Sequence, residues 1–253
     1  MGDDILTISA PAPLFKEFFA LPSAMHPDGV LTAHADAVDL DVRDASGSAM
    51  VHSRLDAKRF LAYACADPGA KFGLPLSKMD DFLKAAARMD KKSPVLLTVG
   101  EDSRVTLRCG RLQFRFSLLG DQSPPQRFDP TKYPYLATAL VHVNELRQFV
   151  DTCLALTDAA CLLFRVEKGR LRIEMKDEVN AASIDAAEVR LRPGPEGKVP
   201  RTYLQGKALK YVTDSLPDRQ LLLTLGEDLP LCVTANDDGL LAEAFLAPMV
   251  GDE

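Results

Sequence analysis

VLLTVGED occupies Val95–Asp102, and LLLTLGED occupies Leu221–Asp228, 126 positions further along a chain of 253 residues. Upstream of each copy, Leu83-Lys84 and Leu209-Lys210 repeat the same spacing on helix-like segments. A near-identical stretch that returns after half the chain indicates two copies of one structural unit. Chance likeness between two apolar strands is the alternative, and the shared upstream helix argues against it. The sequence therefore predicts two similar domains.

The composition fits a folded chain that buries one large core or two ordinary ones, since 47% of its residues are hydrophobic. We find no apolar run of transmembrane length and no signal segment in Met1–Ala20. The net charge of −6 argues against a protein that coats nucleic acid with its whole surface, but it leaves room for a local basic face. Without C-x-x-C or a nearby histidine pattern, most of the five cysteines are predicted to be reduced core residues of a cytosolic-type compartment: Cys65, Cys109, Cys153 and Cys232, with Cys161 as the fifth.

A proline-rich polar stretch divides the chain near its midpoint. Residues 120–135 hold Pro124, Pro125, Pro130 and Pro134, and a segment so rich in proline cannot pair as a central strand. We predict an N-terminal domain at 1–119, a connector at 120–135 and a C-terminal domain at 136–253. Each half has the order strand, helix, strands, helix, strands, which predicts an α+β fold.

Four amphipathic segments are predicted to be helices because their apolar residues recur at intervals of three and four. The first is expected to end at Pro22, and Asp56–Tyr63 is expected to form a short helix or turn. The helices, with their inward residues, are Leu14–Leu21 (Leu14, Phe15, Phe18, Leu21), Ser77–Met89 (Leu76, Met79, Leu83, Ala86), Asn144–Leu156 (Leu146, Phe149, Val150, Cys153) and Gln205–Leu216.

No catalytic constellation is visible in the sequence. The four histidines lie in unrelated segments, and no serine lies in a nucleophile elbow beside one of them. The turns Gly100-Glu101-Asp102 and Gly226-Glu227-Asp228 fit hairpin chemistry better than a metal site. No glycine-rich phosphate loop is present. We expect no enzyme activity, no cofactor and no metal.

Four stretches, in their order and spacing around the connector, resemble DNA sliding clamps of the proliferating cell nuclear antigen type. They are Asp44–Phe60 (DASGSAMVHSRLDAKRF), Phe72–Lys84 (FGLPLSKMDDFLK), Gly226–Val233 (GEDLPLCV) and Phe245–Val250 (FLAPMV). The resemblance covers essentially the full chain. It implies two clamp domains, each with two helices on antiparallel sheets, and three subunits that close head to tail into a ring around double-stranded DNA.

The resemblance also implies partners. The ring would bind DNA without regard to sequence, and it would tether DNA polymerase and other replication and repair proteins as a processivity factor. A clamp loader and identical copies of the chain in a homotrimer are further expected partners, and no membrane is expected. The protein would be cytoplasmic in an archaeon or in a virus of a prokaryotic host, and nuclear in a eukaryote.

The family closes its ring by pairing strand edges of neighbouring subunits, which satisfies open backbone groups. By resemblance, Arg111–Leu118 is one edge and Val179–Asp185 is the other. An internal strand would show the same apolar alternation and is the alternative. The interface residues expected are Leu112, Phe114, Phe116, Asn180 and Ser183.

The four helices correspond to the inner wall of the family's ring. Their charges sum to +1, against −6 for the whole chain, which is the sign expected for contacts to phosphate. Asp81 and Asp151 interrupt the basic positions, and a solvated helix face is the alternative for each lysine. The wall residues expected are Lys16, Lys84, Arg88, Arg147, Lys207 and Lys210.

Partners of such clamps insert a short helical plug with aromatic residues into an apolar pocket beneath the connector. Arg127 and Lys132 stand in the connector where the family more often has acidic residues, and core packing is the alternative for Met50 and Phe245. The pocket residues expected are Met50, Phe128, Pro130, Pro230, Phe245, Ala247 and Pro248.

Two rival interpretations remain open. The chain could be one subunit of a heteromeric ring, or a viral or paralogous clamp with a restricted set of partners. It could also be an enzyme of an unrelated α+β fold, although no motif supports that.

Overall fold

The structure, a computed structural model, describes residues 4–89, 93–120, 123–176, 180–193, 195 and 197–249. The chain forms two compact units. Unit 1 contains Met1–Arg43, Val51–Gln126 and Asn236–Ala242, and unit 2 contains Asp44–Met50, Arg127–Ala235 and Glu243–Glu253. The boundary between unit 1 and unit 2 at Gln126 and Arg127 lies within the predicted connector, 120–135. The predicted domain limits, 1–119 and 136–253, stay predictions.

The first half of the chain alternates short strands with two helices. The helices are α1 (Ala12–Met25) and α2 (Leu76–Met89), and the strands are β1 (Asp4–Ala10), β2 (Asp28–Ala33), β3 (Ala37–Arg43), β4 (Ala49–Asp56), β5 (Ala62–Cys65), β6 (Lys71–Pro75), β7 (Val95–Gly100), β8 (Arg104–Cys109) and β9 (Leu112–Ser117). Short 3₁₀ turns occupy Ala57–Arg59 and, after β9, Pro130–Lys132.

The second half repeats this plan with one strand fewer. Its helices are α3 (Val143–Leu156) and α4 (Gly206–Ser215), and its strands are β10 (Ala137–His142), β11 (Cys161–Glu167), β12 (Arg170–Lys176), β13 (Ala181–Leu191), β14 (Arg201–Gln205), β15 (Gln220–Leu225), β16 (Leu231–Asp237) and β17 (Leu240–Leu246). The predicted α+β class, with two helices on antiparallel sheets in each half, is confirmed.

The duplicated octapeptide occupies equivalent strands. In the first half the strand order β5-β1-β7-β8-β9 places β7 between β1 and β8, and in the second half β15 lies between β10 and β16. Leu97 is opposite Leu107 across the β7–β8 pair, and Leu223 is opposite Val233 across the β15–β16 pair. Since both pairs keep the interval of 126 positions, the predicted repeat of one unit is confirmed down to its pairing register.

One long strand in the second half takes two roles. Over Ala181–Glu188, β13 pairs with β12, as β4 lies beside β3 in the first half. Over Val189–Leu191, it pairs with β10, as β5 pairs with β1. The equivalent of the β4–β5 break is therefore a single continuous strand.

The helices bury the residues predicted from their spacing. All twelve inward positions named above are at most 8% exposed. Helix α1 differs from the prediction in its length, because it continues through Pro22 to Met25. Pro22 cannot donate a backbone hydrogen bond, but its carbonyl accepts one from the His26 amide at 3.1 Å, and its ring is buried. One lost bond in the last turn is thus offset by burial.

Candidate functional site

Four aromatic side chains of unit 2 form a cluster between the connector and the last strand. The Phe128 ring lies 4.8 Å from Tyr133, with which it stacks, 5.3 Å from Phe245 and 6.5 Å from Tyr135, all between ring centroids. We call these four residues the aromatic cluster. Such offset and edge-on contacts are the arrangements that aromatic pairs prefer. The Tyr133 side chain is 44% exposed, so the cluster reaches the surface.

The structure brings together three of the predicted pocket residues. Met50 and Phe128 pack against a buried group that contains Phe245. Ala247 lies two residues after Phe245 and donates its backbone N–H to the carbonyl of Ser48, two residues before Met50, at 2.7 Å. The remaining three, Pro130, Pro230 and Pro248, are partly buried. The role of all seven residues in partner binding stays a prediction.

Sequence reasoning missed part of this site. Tyr135 and Cys232 are buried at its base, and Leu229 packs against them. The Tyr135 hydroxyl donates to the Pro230 carbonyl at 2.8 Å and accepts from the Cys232 thiol at 3.0 Å. Burial raises the pKa of both groups, that of Cys232 to about 11, so both stay protonated at neutral pH. The Tyr-Pro-Tyr sequence at 133–135 was the signal that could have revealed them.

Helices α1 and α2 carry three of the predicted wall residues on one surface. Lys16, Lys84 and Arg88 line a shallow groove together with Asp80. The Lys84 ammonium lies 2.5 Å from the Asp80 carboxylate, and this hydrogen bond raises the pKa of Lys84. All three cations lie at exposed positions, but the charge of Lys84 is offset by the Asp80 carboxylate.

Helices α3 and α4 carry the other three predicted wall residues. The Arg147 guanidinium donates to the carbonyls of Thr213, at 2.6 Å from Nη2, and Leu216, at 2.9 Å. Lys210 pairs with Asp151 and, at 3.1 Å, with Asp214, and these hydrogen bonds raise its pKa. Lys207 is exposed. The assignment of all six residues to a DNA-facing wall stays a prediction.

Strand β9 lies at the end of its sheet. It pairs with β8 on one side, and its other side meets no further strand in the part of the chain that the structure describes. Phe114 is 41% exposed, Leu112 is partly buried and Phe116 is buried. We call this free side the β9 edge. Among the described residues β9 is therefore an edge strand and not an internal one, while the interface role stays a prediction.

A second free edge lies on β13. Within the ranges that the structure describes, Ala181–Glu188 pairs only with β12, because pairing with β10 begins at Val189. We call this stretch the β13 edge. Ser183 is exposed on it and accepts from Arg172 at 3.3 Å, and Asn180 lies just before it. Val179, at the start of the predicted edge, lies outside the described residues.

Among the described residues, no group of three or more His, Cys, Asp or Glu side chains could hold a metal ion. Within the same ranges, no helix is long and apolar enough to cross a membrane. Cys109, Cys153 and Cys232 are buried free thiols, as predicted, and Cys65 is only partly buried.

Comparisons with known proteins identify the fold. No protein-family model and no curated protein matches the chain. Among solved structures, the chain is similar to A. fulgidus PCNA bound to the C-terminal region of FEN-1, with a TM-score of 0.83, 18% identity, and coverage of 98% of this chain and 100% of the other. PCNA from Thermococcus kodakaraensis matches with a TM-score of 0.82, 16% identity, and coverage of 96% and 100%. The proliferating cellular nuclear antigen of Entamoeba histolytica matches with a TM-score of 0.83, 17% identity, and coverage of 98% and 100%. Over almost its whole length, the chain has the fold of proliferating cell nuclear antigen.

Proposed function

We propose that the chain is a subunit of a DNA sliding clamp. Three copies join head to tail into a homotrimeric ring that encircles double-stranded DNA, and the ring acts as a non-catalytic processivity factor for DNA polymerase and other replication and repair proteins. The observation that carries the proposal is the presence of two unlike free strand edges, on β9 and β13, in a chain with the fold of proliferating cell nuclear antigen.

Free edges favour association because their backbone N–H and C=O groups can form hydrogen bonds with a strand of another chain. When two different edges of one chain pair, the contact is heterologous, and it closes into a ring if its rotation permits. The charges of the two edges suit such pairing. Arg111–Leu118 holds two arginines and no acid, whereas Asn180–Glu188 holds Asp185 and Glu188 and no base. Part of this charge is offset within the chain, because Arg115 pairs with Asp102 at 2.8 Å and Asp185 with Arg172 at 3.4 Å. The signs that remain favour contact between unlike edges over contact between like edges.

Exposed cations on the helices support binding to DNA. Lys16, Arg88 and Lys207 project from α1, α2 and α4 at exposed positions. Contacts from such side chains to phosphate carry no base information, which suits a protein that must move along any sequence. Lys84 and Lys210 contribute less, because nearby aspartates offset their charge.

The aromatic cluster supports binding of partner peptides. Aromatic and aliphatic side chains that reach the surface are typical energetic centres of an interface. The A. fulgidus protein of the same fold was solved with the C-terminal region of FEN-1 bound, which is a precedent for peptide binding by this fold. A clamp loader is a further partner of the proposed ring. The ring would work where the DNA is, in the cytoplasm of an archaeon or a prokaryotic host and in the nucleus of a eukaryote.

Two measurements test the proposal. Light scattering of the purified chain should give three times the mass of the 27.6 kDa subunit. Primer extension on a long template should give longer products when the protein and a clamp loader are added. A chain that stays monomeric alone but joins a ring with a different subunit would favour the heteromeric alternative. Products of unchanged length with every loader and polymerase combination would contradict the clamp function itself.

A further inference from the structure

Three arginines lie side by side on adjacent strands of unit 2. Arg201 on β14 is opposite Arg165 on β11, and Arg165 is opposite Arg172 on β12. Their strand neighbours Thr202 and Phe164 are fully buried, so the arginines share the other, partly exposed face of the sheet. We call them the arginine row. Like charges directly opposite each other destabilise a sheet unless counter-charges are nearby.

Two members of the arginine row are well neutralised. The Glu174 carboxylate lies 3.0 Å from Nε of Arg165 and 2.7 Å from Nε of Arg172. Asp185 lies 3.4 Å from Arg172, and Glu167 lies 3.3 Å from Arg165. These carboxylates offset the positive charges of Arg165 and Arg172, the first two members of the row.

Arg201 has much weaker partners. Within the described part of the chain, its ion pair is with Asp228 at 3.8 Å, beyond hydrogen-bond distance. Its Nε atom, like that of Arg165, is buried and has no hydrogen-bond partner among the described residues, but Arg165 also donates from Nη2 to Glu174 at 3.2 Å. A buried guanidinium N–H without an acceptor raises the free energy of the folded state. The Arg201 side chain as a whole is 43% exposed, so its terminal N–H groups are open to an anionic group supplied by another molecule.

The surface around Arg201 combines positive and apolar groups. Arg165 and Arg201 line one concave surface together with Leu163, Val199 and Tyr203. The Val199 side chain is 50% exposed, so an apolar contact is available beside the guanidinium groups. Arg presents paired N–H groups that match the two oxygens of a carboxylate.

Acidic residues on the same surface restrict the class of ligand. Glu167 and Glu227 also line it, and Asp228 is close by. Three carboxylates would repel the continuous phosphate backbone of a nucleic acid. A peptide that offers one acidic side chain next to an aliphatic one fits better, because it needs only one anion site.

The surface adjoins the aromatic cluster through backbone contacts. Arg201 donates its N–H to the Gly226 carbonyl at 3.0 Å and accepts from the Asp228 amide at 2.9 Å. The Thr202 hydroxyl donates to the Leu229 carbonyl at 3.0 Å, and Leu229 packs against the base of the aromatic cluster. On the side of the concave surface, Met249, four residues after Phe245, donates its backbone N–H to the Tyr203 carbonyl at 2.8 Å, and Tyr203 lines that surface. A peptide that extends from the aromatic cluster along these last residues would therefore reach the surface that Arg201 lines.

We propose that Arg201, assisted by Arg165, binds an acidic side chain of a partner peptide whose aromatic residues occupy the aromatic cluster. The identity of this peptide as a clamp partner rests on the proposed function. The anionic group is a carboxylate or a phosphorylated side chain, since both offer oxygens to a guanidinium in the same geometry.

Fluorescence anisotropy with synthetic peptides tests the proposal on the full-length chain. Each labelled peptide carries the same two-aromatic helical plug, and the residues that flank the plug are glutamate, phosphoserine, glutamine or lysine. We expect the glutamate or phosphoserine peptide to bind about tenfold more tightly than the glutamine peptide, as for one charge-assisted pair. Arg201→Gln should abolish this preference. Arg170→Gln, which changes an exposed arginine of β12 on the same sheet, should keep it.

Equal affinity of all four peptides for the native chain, or an acidic preference that survives in Arg201→Gln, would overturn the inference. If no plug peptide binds, the proposed partner site on the aromatic cluster fails, and NMR decides the inference separately. Titration with N-acetyl-glutamate amide or with phosphoserine should shift the Nε–Hε signal of Arg201 and leave that of Arg170 in place. An Arg201 signal that does not move would refute the anion site.

Discussion

At the scale of single residues, Arg147 links the two helices of the second half. Its side chain leaves α3 and donates to the carbonyls of Thr213 and Leu216 at the end of α4, while Nη1 donates to the Asn144 side chain at 2.8 Å. The last carbonyls of a helix lack partners within the helix and carry its negative dipole end. A guanidinium there satisfies two carbonyls at once, so Arg147 has a structural role whether or not it also approaches DNA.

Arg147→Ala is expected to destabilise the fold by about 2 kcal/mol, because it removes hydrogen bonds from a charged donor to partly buried carbonyls. Urea unfolding followed by circular dichroism measures this. Arg88→Ala is the matched control, since Arg88 is exposed on α2, and surface changes of this kind stay within about 0.5 kcal/mol. Equal stability of the two variants would show that the carbonyl contacts of Arg147 contribute nothing.

Ionisation of the Cys153 thiol is expected to lower the stability of the fold at alkaline pH. Its side chain is fully buried in α3, and burial raises the pKa of the thiol to about 11. In the unfolded chain a thiol has a pKa of about 8.5. Above that pH the unfolded state loses a proton that the folded state keeps, so the stabilisation present at lower pH is lost as the pH rises toward 11.

The free energy of unfolding should therefore fall with increasing pH in this window, by up to about 1.4 kcal/mol per pH unit for one such proton. Urea unfolding at several pH values measures the slope. In Cys153→Ala the slope should be shallower, although at neutral pH the variant is less stable because it lacks the buried sulfur atom. A slope identical to that of the native chain would contradict the prediction.

At the scale of elements, the β9 edge combines free backbone with an exposed aromatic side chain. Phe114 is 41% exposed, whereas Phe116, two residues further, is buried within the chain. An apolar edge of this kind is an aggregation hazard in a monomer. The pairing of this edge with the β13 edge of another copy would remove the hazard.

Phe114→Asp is expected to yield folded monomers. An aromatic anchor at an interface contributes about 2–4 kcal/mol, and a carboxylate in its place would be desolvated without a partner. Light scattering gives the mass, and circular dichroism shows that the fold is kept. Leu61→Asp is the matched control, because Leu61 is 65% exposed but lies outside both edges. A trimeric Phe114→Asp variant would place the interface elsewhere.

The elements differ in how far the sequence could predict them. The four helices follow from apolar spacing, because each buries a continuous stripe. Strands β5 and β14 were missed. AYAC at Ala62–Cys65 is short and half-exposed, and it becomes a strand only through pairing with β1. Arg201–Gln205 buries only Thr202 and Leu204, too few residues to show alternation next to a Pro/Gly turn.

The residues of the candidate site could also be predicted from the sequence only in part. Met50, Phe128 and Phe245 could be named in advance only through resemblance to a family, since apolar residues far apart in sequence give no local signal of contact. Arg201 could not be named at all. Its place opposite Arg165 depends on the register of β11 and β14, which emerges only when the sheet is assembled.

At the scale of the whole molecule, charge on the two edges should decide how copies associate. Arg111 and Arg115 lie on or beside the β9 edge, and Asp185 and Glu188 lie on the β13 edge. Two β9 edges, or two β13 edges, would bring like charges together. Only the head-to-tail contact brings opposite charges together, which favours a closed ring over a symmetric dimer.

Reversal of both arginines (Arg111→Glu with Arg115→Glu) should therefore weaken the proposed trimer at least tenfold, as for the loss of about 1.4 kcal/mol or more per interface. Adding Asp185→Lys and Glu188→Lys to the same chain should restore assembly, because the signs are opposite again. Light scattering across a dilution series measures both. A fourfold variant as weak as the arginine variant would show that edge charge does not select the partner.

The shared pairing register of β7 and β15 bears on how such an assembly could have arisen. Two halves that keep the same backbone partners over 126 positions are best explained by the tandem fusion of one shorter ancestral chain. To form the proposed ring around a duplex, such an ancestor would have needed twice as many separate molecules. Every encounter between free molecules sacrifices translational and rotational freedom. Fusion would have made half of those encounters unnecessary, so that enclosure became easier at low cellular abundance before any contact surface had improved.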